Sequence, residues 1–288
     1  MRAEITAVGD PRIDTSRVTR PRTGYPYLDA SLDQAGSVLA FAHRGGAFHP
    51  ELEGLENTLA AFQHAVDLGY RYLETDVHAT KDGTLLAFHD AILDRVTAGR
   101  GAIAELTYAE VAEALIGGRE QIPTMRALFE QFPEVRFNID IKSEPAIGPL
   151  VELIDATGAH DRVCVASFSG TRMRSFRSLA GGRVATAAGP VDIALFRFLP
   201  THRLADGLTR SAAPVLQVPH RQAGLTIVTA GLVHRAHEAG RHVHVWTVDD
   251  PGQMRELLDL GVDGLMTDRT DLLREVLIER GQWMGAQA

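Results

Sequence analysis

The chain has 288 residues, with 29 lysines and arginines against 37 aspartates and glutamates, so its formal net charge is −8. Hydrophobic residues make up 45%, which suits a large core in two small domains or in one large α/β domain. The acidic balance excludes a broadly basic nucleic-acid-binding protein and argues against wide contact with anionic membranes. A single cysteine, Cys164, excludes an intramolecular disulfide and fits a reducing, cytoplasmic compartment.

The two ends of the chain differ from its body. Residues 1–36 are rich in proline, arginine, aspartate and threonine, and we predict an N-terminal arm that lies on a folded domain. This segment lacks the apolar run of a secretory signal, and no stretch reaches the ~18–20 apolar residues of a membrane span. Residues 282–288 predict a C-terminal tail. No linker divides residues 37–281, so we predict one domain there.

Short apolar runs alternate with amphipathic stretches from Ser37 onward. In NTLAAFQHAVDLG, Leu59, Phe62 and Val66 have helical spacing, and Gly69 is the predicted C-cap. The alternation repeats eight times and predicts an α/β fold, a (β/α)₈ TIM barrel with a small excursion after strand two, at about residues 79–123. Periodicity alone leaves an open doubly wound sheet as the alternative. The predicted strands are SVLAFAHRG, YRYLETDVHAT, VRFNIDIK, RVCVASFS, RVATAAG, PVLQVP, RHVHVWTV and DGLMTD.

Charged side chains occupy two strands that should be buried. Glu74 and Asp76 share one face of the second predicted strand, because strand side chains alternate with period two. Asp140 and Lys142 share a face of the third. Buried acids are costly unless positive charge is near, and neighbouring strands would bring these three together. Three hard oxygen ligands predict one divalent metal ion, Mg²⁺ or Ca²⁺, with Mn²⁺ possible.

Two histidines and an arginine fall just after predicted strands. His43 and Arg44 end the first strand, and His89 follows the loop after the second. Near a bound phosphate one histidine can accept a proton while the other donates one, since the usual pKa of histidine is about 6.5. Arg44 is suited to bidentate contact with phosphate oxygens, and Lys142 adds a point charge. All lie at strand ends, where barrel enzymes carry their chemistry.

Most other candidates have a simpler interpretation. Cys164 has no evident activator and is predicted to be a buried core residue. His78 and His244 point inward by strand phase and are candidates for lining a pocket. The remaining histidines are interpreted as surface or core residues: His49, His64, His160, His202, His220, His234, His237 and His242.

The ordered motifs resemble the glycerophosphodiester phosphodiesterase family. The resemblance covers almost all of residues 38–273. It is carried by AFAHRGG, ENTLAAF, LETDVHATKDGTLLAFHDAILDRVT, IPT, NIDIK, SF, HVWTVDD and GVDGLMTD.

The resemblance implies a (β/α)₈ barrel and a metal-dependent phosphodiesterase. It assigns His43 and His89 as the catalytic pair, and Arg44 and Lys142 as phosphate-contacting residues. It also implies that Trp246 lines the pocket, and that Glu56 lies near the metal and positions Arg44 or a metal-bound water. The implied metal ligands are Glu74, Asp76 and Asp140.

Two positions depart from the family pattern. Asp140 stands where the third ligand is commonly glutamate, so its carboxylate is about one methylene shorter. Leu55 stands where proline often precedes Glu-Asn-Thr. The loop 46–55 and the weakly patterned segment 196–214 are expected at the rim of the pocket, where they affect substrate preference.

The expected reaction is hydrolysis of a small-molecule glycerophosphodiester to sn-glycerol 3-phosphate and an alcohol. Either histidine is a candidate for base or acid, and the nucleophile is water or the glycerol 2-hydroxyl through a cyclic phosphate. Alternatives are phospholipase D-type action on lysophospholipid or sphingomyelin, a non-catalytic phosphate-binding barrel, and, more distantly, a phosphoinositide-specific phospholipase C. Neither a nucleic-acid partner nor integral membrane association is expected.

Overall fold

The computed structural model describes residues 20–30, 32, 36–209 and 213–285. Its strands, in chain order, are β1 (Leu39–His43), β2 (Tyr72–Ala79), β3 (Leu85–Ala87), β4 (Leu115–Ile116), β5 (Glu120–Gln121), β6 (Arg136–Ile141), β7 (Val163–Ala166), β8 (Ala185–Thr186), β9 (Val215–Pro219), β10 (Arg221–Gln222), β11 (Leu225–Thr226), β12 (His242–Trp246) and β13 (Gly264–Thr267). Its helices are α1 (Pro26–Asp29), α2 (Leu59–Asp67), α3 (Tyr108–Val111), α4 (Met125–Gln131), α5 (Ile147–Thr157), α6 (Gly170–Ala180), α7 (Pro190–Phe198), α8 (His202–Leu208), α9 (Ala230–Glu238), α10 (Pro251–Asp259) and α11 (Thr270–Glu279).

Eight parallel strands form a nearly closed barrel. Their order around the sheet is β8, β7, β6, β2, β1, β13, β12 and β9. A parallel bridge between Ala187 and Val215 joins the two ends of this order, and Ala188 N donates to Val215 O over 2.8 Å. The eight predicted strands are thus confirmed, and the barrel alternative is correct rather than the open sheet.

The first crossover shows how local sequence sets the strand–helix alternation. Thr58 caps α2, because its hydroxyl accepts from Ala61 N over 3.1 Å. Phe62 is fully buried between the helix and the sheet. Gly69 follows the helix with a φ of +100°, a conformation that glycine adopts without strain, and the chain then turns into β2.

The two faces of β2 serve different purposes. Leu73 and Val77 face the outer core beneath the helices, where burial of apolar surface stabilises the barrel. Glu74 and Asp76 lie on the other face and are 5% and 2% exposed. Asp76 pairs in register with Asp140 on β6, so acids of two neighbouring strands lie side by side.

The predicted excursion after strand two is a small folded unit with its own core. Strand β3 pairs antiparallel with the end of β2, and Phe88 N donates to Asp76 O over 2.9 Å. Leu86, Phe88 and Ile103 are among the residues of a separate apolar cluster under this unit. The pairing brings residues 89 and 90 back over the end of β2.

The described part of the predicted arm closes the base of the barrel. Tyr27 and Leu28 on α1 are fully buried and pack with Leu39 and Phe41. Tyr72 also donates its hydroxyl hydrogen to Tyr27 O over 2.9 Å. Residues 1–19 lie outside the described part of the chain.

The described part of the predicted tail packs on the barrel. The ring of Trp283 lies edge-on to Tyr70 at 5.0 Å between centroids. Residues 286–288 lie outside the described chain. The division into 1–36, 37–281 and 282–288 remains a prediction. None of the described helices has the length and apolarity needed to cross a membrane.

Candidate active site

A cavity of about 650 Å³ opens at the carboxyl ends of the barrel strands. Eight of the nine sequence-predicted site residues line it, while the ninth, Glu56, lies behind Arg44. The eight are His43, Arg44, Glu74, Asp76, His89, Asp140, Lys142 and Trp246.

His43 is held between two carboxylates at the end of β1. Its Nδ1 lies 2.8 Å from Asp268 Oδ1, and its Nε2 lies 3.7 Å from Glu74 Oε2. Burial by itself lowers the pKa of His43, but the charges of Glu74 and Asp268 outweigh burial and raise the pKa to about 9. The carboxylate at Nδ1 fixes the ring so that Nε2 faces the cavity.

Asp268 is a site residue that the sequence interpretation missed. Asp249 orders it, because Asp249 Oδ1 accepts from Asp268 N over 2.8 Å and from the Thr267 hydroxyl over 3.0 Å. The available signal was an acid directly after the eighth barrel strand, in GLMTD. Its partner on β1 is adjacent only because the barrel closes strand eight against strand one.

His89 has the same arrangement on the excursion. Its Nδ1 lies 2.6 Å from Asp90 Oδ1, and Arg95 Nε in turn donates to Asp90 over 2.5 Å. His78 Nε2 lies 3.1 Å from His89 O and supports the backbone at this point. Both cavity histidines therefore carry an aspartate on Nδ1 and keep Nε2 for a ligand.

The two inward-pointing histidines do not line the cavity. His78 lies behind His89, as described above. His244 is fully buried deeper in the barrel, with its ring centroid 4.9 Å from that of Phe41. Strand phase therefore identified the correct face of each strand, while the segment that carries His89 covers His78, and depth in the barrel removes His244 from the cavity.

Asp76 is the most strongly compensated acid of the site. Lys142 Nζ lies 2.9 Å from Asp76 Oδ1 and 2.7 Å from Asp140 Oδ2, and Arg44 Nε lies 3.1 Å from Asp76 Oδ2. Burial alone raises the pKa of Asp76, but Lys142 and Arg44 outweigh burial and hold the pKa below its usual range. Asp76 is therefore a charged anchor for two cations that face the cavity.

Glu74 and Asp140 are less well compensated. Burial, reinforced by Asp76, raises the pKa of Glu74 to about 7. Burial likewise raises the pKa of Asp140, and Asp140 Oδ1 has no hydrogen-bond partner among the described residues. A surplus of buried carboxylate oxygens fits a hard divalent cation, which binds such donors.

The three carboxylates are not drawn together as tightly as metal ligands. The donor atoms of Glu74, Asp76 and Asp140 do not all lie within 4.8 Å of one another, and Lys142 Nζ stands between two of them. Within the described chain, the three-residue donor group that meets this distance is His49, Glu51 and His64, in and beside the loop after β1.

Backbone conformation explains the sequence His-Arg-Gly-Gly. Arg44 has a φ of +50°, and Gly45 follows with a φ of +86°. A Cβ on Gly45 would lie 2.7 Å from Ala61 Cβ, so only glycine allows the turn to pack against α2. The turn directs the Arg44 side chain over the end of β2.

Glu56 and its neighbours hold Arg44 in place. Arg44 Nη1 donates to Glu56 Oε1 over 3.2 Å, and Arg95 contacts both Glu56 oxygens at 2.7 and 2.6 Å. Asn57 donates its backbone N–H to Arg44 O over 2.9 Å and its side-chain Nδ2–H to Asp76 Oδ2 over 3.3 Å. Sequence reasoning missed Asn57 and Arg95 as site residues, although Asn57 belongs to the motif Glu-Asn-Thr that carried part of the family resemblance.

The opposite side of the cavity is apolar. Trp246 lies edge-on to Phe168 at 5.5 Å, and Lys142 Nζ lies 5.6 Å from the centroid of the Phe168 ring. Beyond them the wall is formed largely by α7 and the β10–β11 hairpin. The apolar side chains of this wall are Pro190, Ile193, Ala194, Phe198, Leu225 and Ile227.

Comparison with known proteins places this chain among phosphodiesterases. A profile of the glycerophosphoryl diester phosphodiesterase family matches residues 43–272. The chain is 42% identical over 255 residues to a probable glycerophosphodiester phosphodiesterase 2 of Mycobacterium tuberculosis, covering 87% of this chain and 95% of that protein. It is 28% identical over 272 residues to a human lysophospholipase D, covering 82% and 85% of the two chains.

The fold is shared with a solved phosphodiesterase of Oleispira antarctica, which was crystallised with the product sn-glycerol 3-phosphate. The TM-score is 0.69 and the identity 22%, with 83% of this chain and 96% of that chain covered.

The barrel, its charged mouth and these matches define a phosphoric diester hydrolase. The chain belongs to the glycerophosphoryl diester phosphodiesterase family, and its enzyme class is glycerophosphodiester phosphodiesterase.

Proposed function

We propose that the chain hydrolyses small glycerophosphodiesters to sn-glycerol 3-phosphate and an alcohol, with one histidine as general base and the other as general acid. The observation that carries this proposal is the matched pair of histidines at one cavity. His43 and His89 each have an aspartate on Nδ1, at 2.8 and 2.6 Å, and both line the same space as Arg44 and Lys142.

Arg44 and Lys142 bind the phosphodiester. The guanidinium offers paired donors that match two phosphate oxygens, and the ammonium adds a second positive charge. Glu56 and Asp76 hold Arg44, so its guanidinium is in position before the substrate arrives. Such preorganised charge stabilises the extra negative charge of the transition state.

Glu74, Asp76 and Asp140 would hold one divalent cation, Mg²⁺ or Ca²⁺, with Mn²⁺ as a further candidate, and the cation would replace the contacts that Lys142 Nζ makes with Asp76 and Asp140. When bound, the cation supplies Lewis-acid neutralisation of the phosphate. The raised pKa of Glu74 and the unpartnered Oδ1 of Asp140 support this assignment, because both report uncompensated buried oxygens. The shorter arm of Asp140 is compatible with an added water ligand.

The histidines move the protons of the reaction. One accepts a proton from the nucleophile, which is either water or the glycerol 2-hydroxyl, as the new P–O bond forms. Attack by water gives sn-glycerol 3-phosphate directly, whereas attack by the 2-hydroxyl gives a cyclic phosphate that a water molecule then opens to sn-glycerol 3-phosphate. The other donates a proton to the alcohol oxygen as its P–O bond breaks. Trp246 packs against the organic part of the substrate, and Glu56 positions Arg44.

Turnover of glycerophosphocholine before and after chelation tests the proposal. We expect activity to vanish with a chelator and to return on addition of Mg²⁺, Ca²⁺ or Mn²⁺ to the dialysed protein. Restoration by one ion identifies the metal. Full activity of the metal-free protein would contradict the proposed metal site.

A second candidate is phospholipase D-type action on a lysophospholipid. The apolar wall favours it, because apolar side chains can cover the acyl chain that a lysophospholipid has and glycerophosphocholine lacks. Turnover of lysophosphatidylcholine and sphingomyelin beside glycerophosphocholine separates the candidates. Binding of all three without turnover would indicate a non-catalytic barrel.

A further inference from the structure

An exposed apolar surface continues from the apolar wall to the outside of the protein. Its members, which we call the apolar rim, are Phe168, Val191, Phe198 and Leu225, exposed by 60%, 72%, 62% and 43%. Side chains of this size are seldom exposed together without a partner. The apolar rim therefore requires an explanation beyond folding.

The apolar rim is continuous with the cavity. Phe168, Phe198 and Leu225 belong to the lining as well as to the exposed surface. Val191 shares one face of α7 with Ala194 and Phe198, because these residues follow the i, i+3, i+7 spacing of a helix. A molecule that covers the apolar rim thus also covers the mouth.

Helix α7 and the β10–β11 hairpin form one surface. Arg197 Nε and Nη2, near the end of α7, donate to Thr226 O over 3.2 and 3.1 Å. This double contact ties the helix to the hairpin that carries Leu225. The members of the apolar rim on α7 and on the hairpin are therefore held at a fixed separation.

Four arginines lie on the elements that carry the apolar rim. Arg172 and Arg174 lie in the first turns of α6, Arg197 lies in the last turn of α7, and Arg221 begins the hairpin; Arg174 and Arg221 are exposed, while Arg172 and Arg197 are half-buried. Within the described chain, none of these four lies within 4.0 Å of a carboxylate oxygen. They stand out in a protein whose net charge is −8.

We propose that the apolar rim and its four arginines dock on an anionic lipid surface. The apolar side chains enter the boundary between head groups and acyl chains, the exposed Arg174 and Arg221 contact the lipid phosphates, and Arg172 and Arg197 add to the local positive charge. The overall acidic charge does not prevent this contact, because screening confines the field of distant acids to about 8–10 Å. The cavity would then open directly toward the lipid surface.

Co-sedimentation with lipid vesicles tests the proposal without any turnover. We expect binding to vesicles of phosphatidylcholine with phosphatidylglycerol, much weaker binding to pure phosphatidylcholine, and loss of binding at high salt. Val191→Asp is expected to weaken binding about tenfold. Arg174→Glu combined with Arg221→Glu is expected to weaken it at least tenfold, since each basic residue near the surface contributes about fivefold.

Matched variants serve as controls. Leu179→Asp alters an equally exposed apolar residue at the far end of α6, and Arg100→Glu with Arg126→Glu gives the same change of net charge elsewhere. All variants should turn over glycerophosphocholine like the parent, because none of the altered residues lines the cavity.

Three outcomes overturn the proposal: no binding by the parent, equal loss in rim and control variants, or a dimer in solution that Val191→Asp dissociates. The last would show that a second copy covers the apolar rim. Because binding is read separately from turnover, failure here leaves the proposed hydrolysis intact.

Discussion

The two halves of the cavity mouth are built on different principles. The charged half lies over β1, β2 and β6, whose paired residues run without a break from Tyr72–Arg136 to Val77–Ile141. The apolar half lies over β8 and β9, which meet through the single bridge at Ala187 and Val215. The charged half therefore lies over strands with continuous pairing, and the apolar half lies over the place where the two end strands of the sheet meet through an isolated bridge.

The difference indicates that the charged half carries out the reaction and that the apolar half affects substrate preference. In the charged half each functional side chain has a named partner, such as Asp268 for His43 and Asp90 for His89, so its geometry is fixed. In the apolar half the side chains project from α7 and a short hairpin and contact the cavity without such pairing. Changes in the charged half should affect all substrates, and changes in the apolar half should affect only some.

The largest expected effect is removal of a proton-transfer group. His43→Ala and His89→Ala should each lower kcat for glycerophosphocholine by ~10²–10⁴-fold, the usual contribution of a general acid or base. His160→Ala is the control, because His160 pairs with Asp155 outside the cavity. Normal kcat in either cavity variant would refute the assignment of that histidine.

The next effect concerns the positioning of His43. Asp268→Asn removes the carboxylate 2.8 Å from Nδ1, and we expect kcat to fall on the order of 10²-fold with a smaller change in KM. Asp155→Asn makes the same change at His160 and should leave kcat unaltered. A rise in KM alone would show that Asp268 acts on binding rather than on the histidine.

A smaller effect is expected when Arg44 is replaced by lysine, which keeps the positive charge but lacks the paired N–H donors of the guanidinium group. Arg44→Lys cannot contact Glu56 and Asp76 while also gripping two phosphate oxygens, so kcat/KM should fall about tenfold for every substrate. Arg255→Lys, at an exposed pair with Glu279, is the matched control. An unchanged kcat/KM would mean that charge alone suffices at this position.

The smallest effect tests the apolar half. Phe198→Ala should lower kcat/KM for lysophosphatidylcholine about fivefold relative to glycerophosphocholine, since it removes apolar surface from the wall. Phe48→Ala removes an equally exposed ring that does not line the cavity and should change neither substrate. An equal fall for both substrates would contradict the division into two halves.

Much of the charged half was predictable, because strand periodicity is a local property. Period two placed Glu74 and Asp76 on the inner face of β2, and the same rule placed Asp140 on β6. Some of the residues that hold these side chains in place could not be predicted from the sequence. Asn57, Arg95 and Asp268 reach the site from segments remote along the chain, and only packing shows which carboxylate or amide meets which partner.

The sequence by itself determined the eight strands, the order of the catalytic motifs and the glycines that permit the turn at Arg44. These follow from side-chain alternation and from backbone conformations that depend on a few neighbouring residues. Tertiary structure decided that Asp268 pairs with His43, that Lys142 stands between Asp76 and Asp140, and that α7 joins the hairpin in an apolar rim. The first depends on barrel closure and the other two on the packing of neighbouring strands and loops, which brings together residues that lie far apart in the sequence.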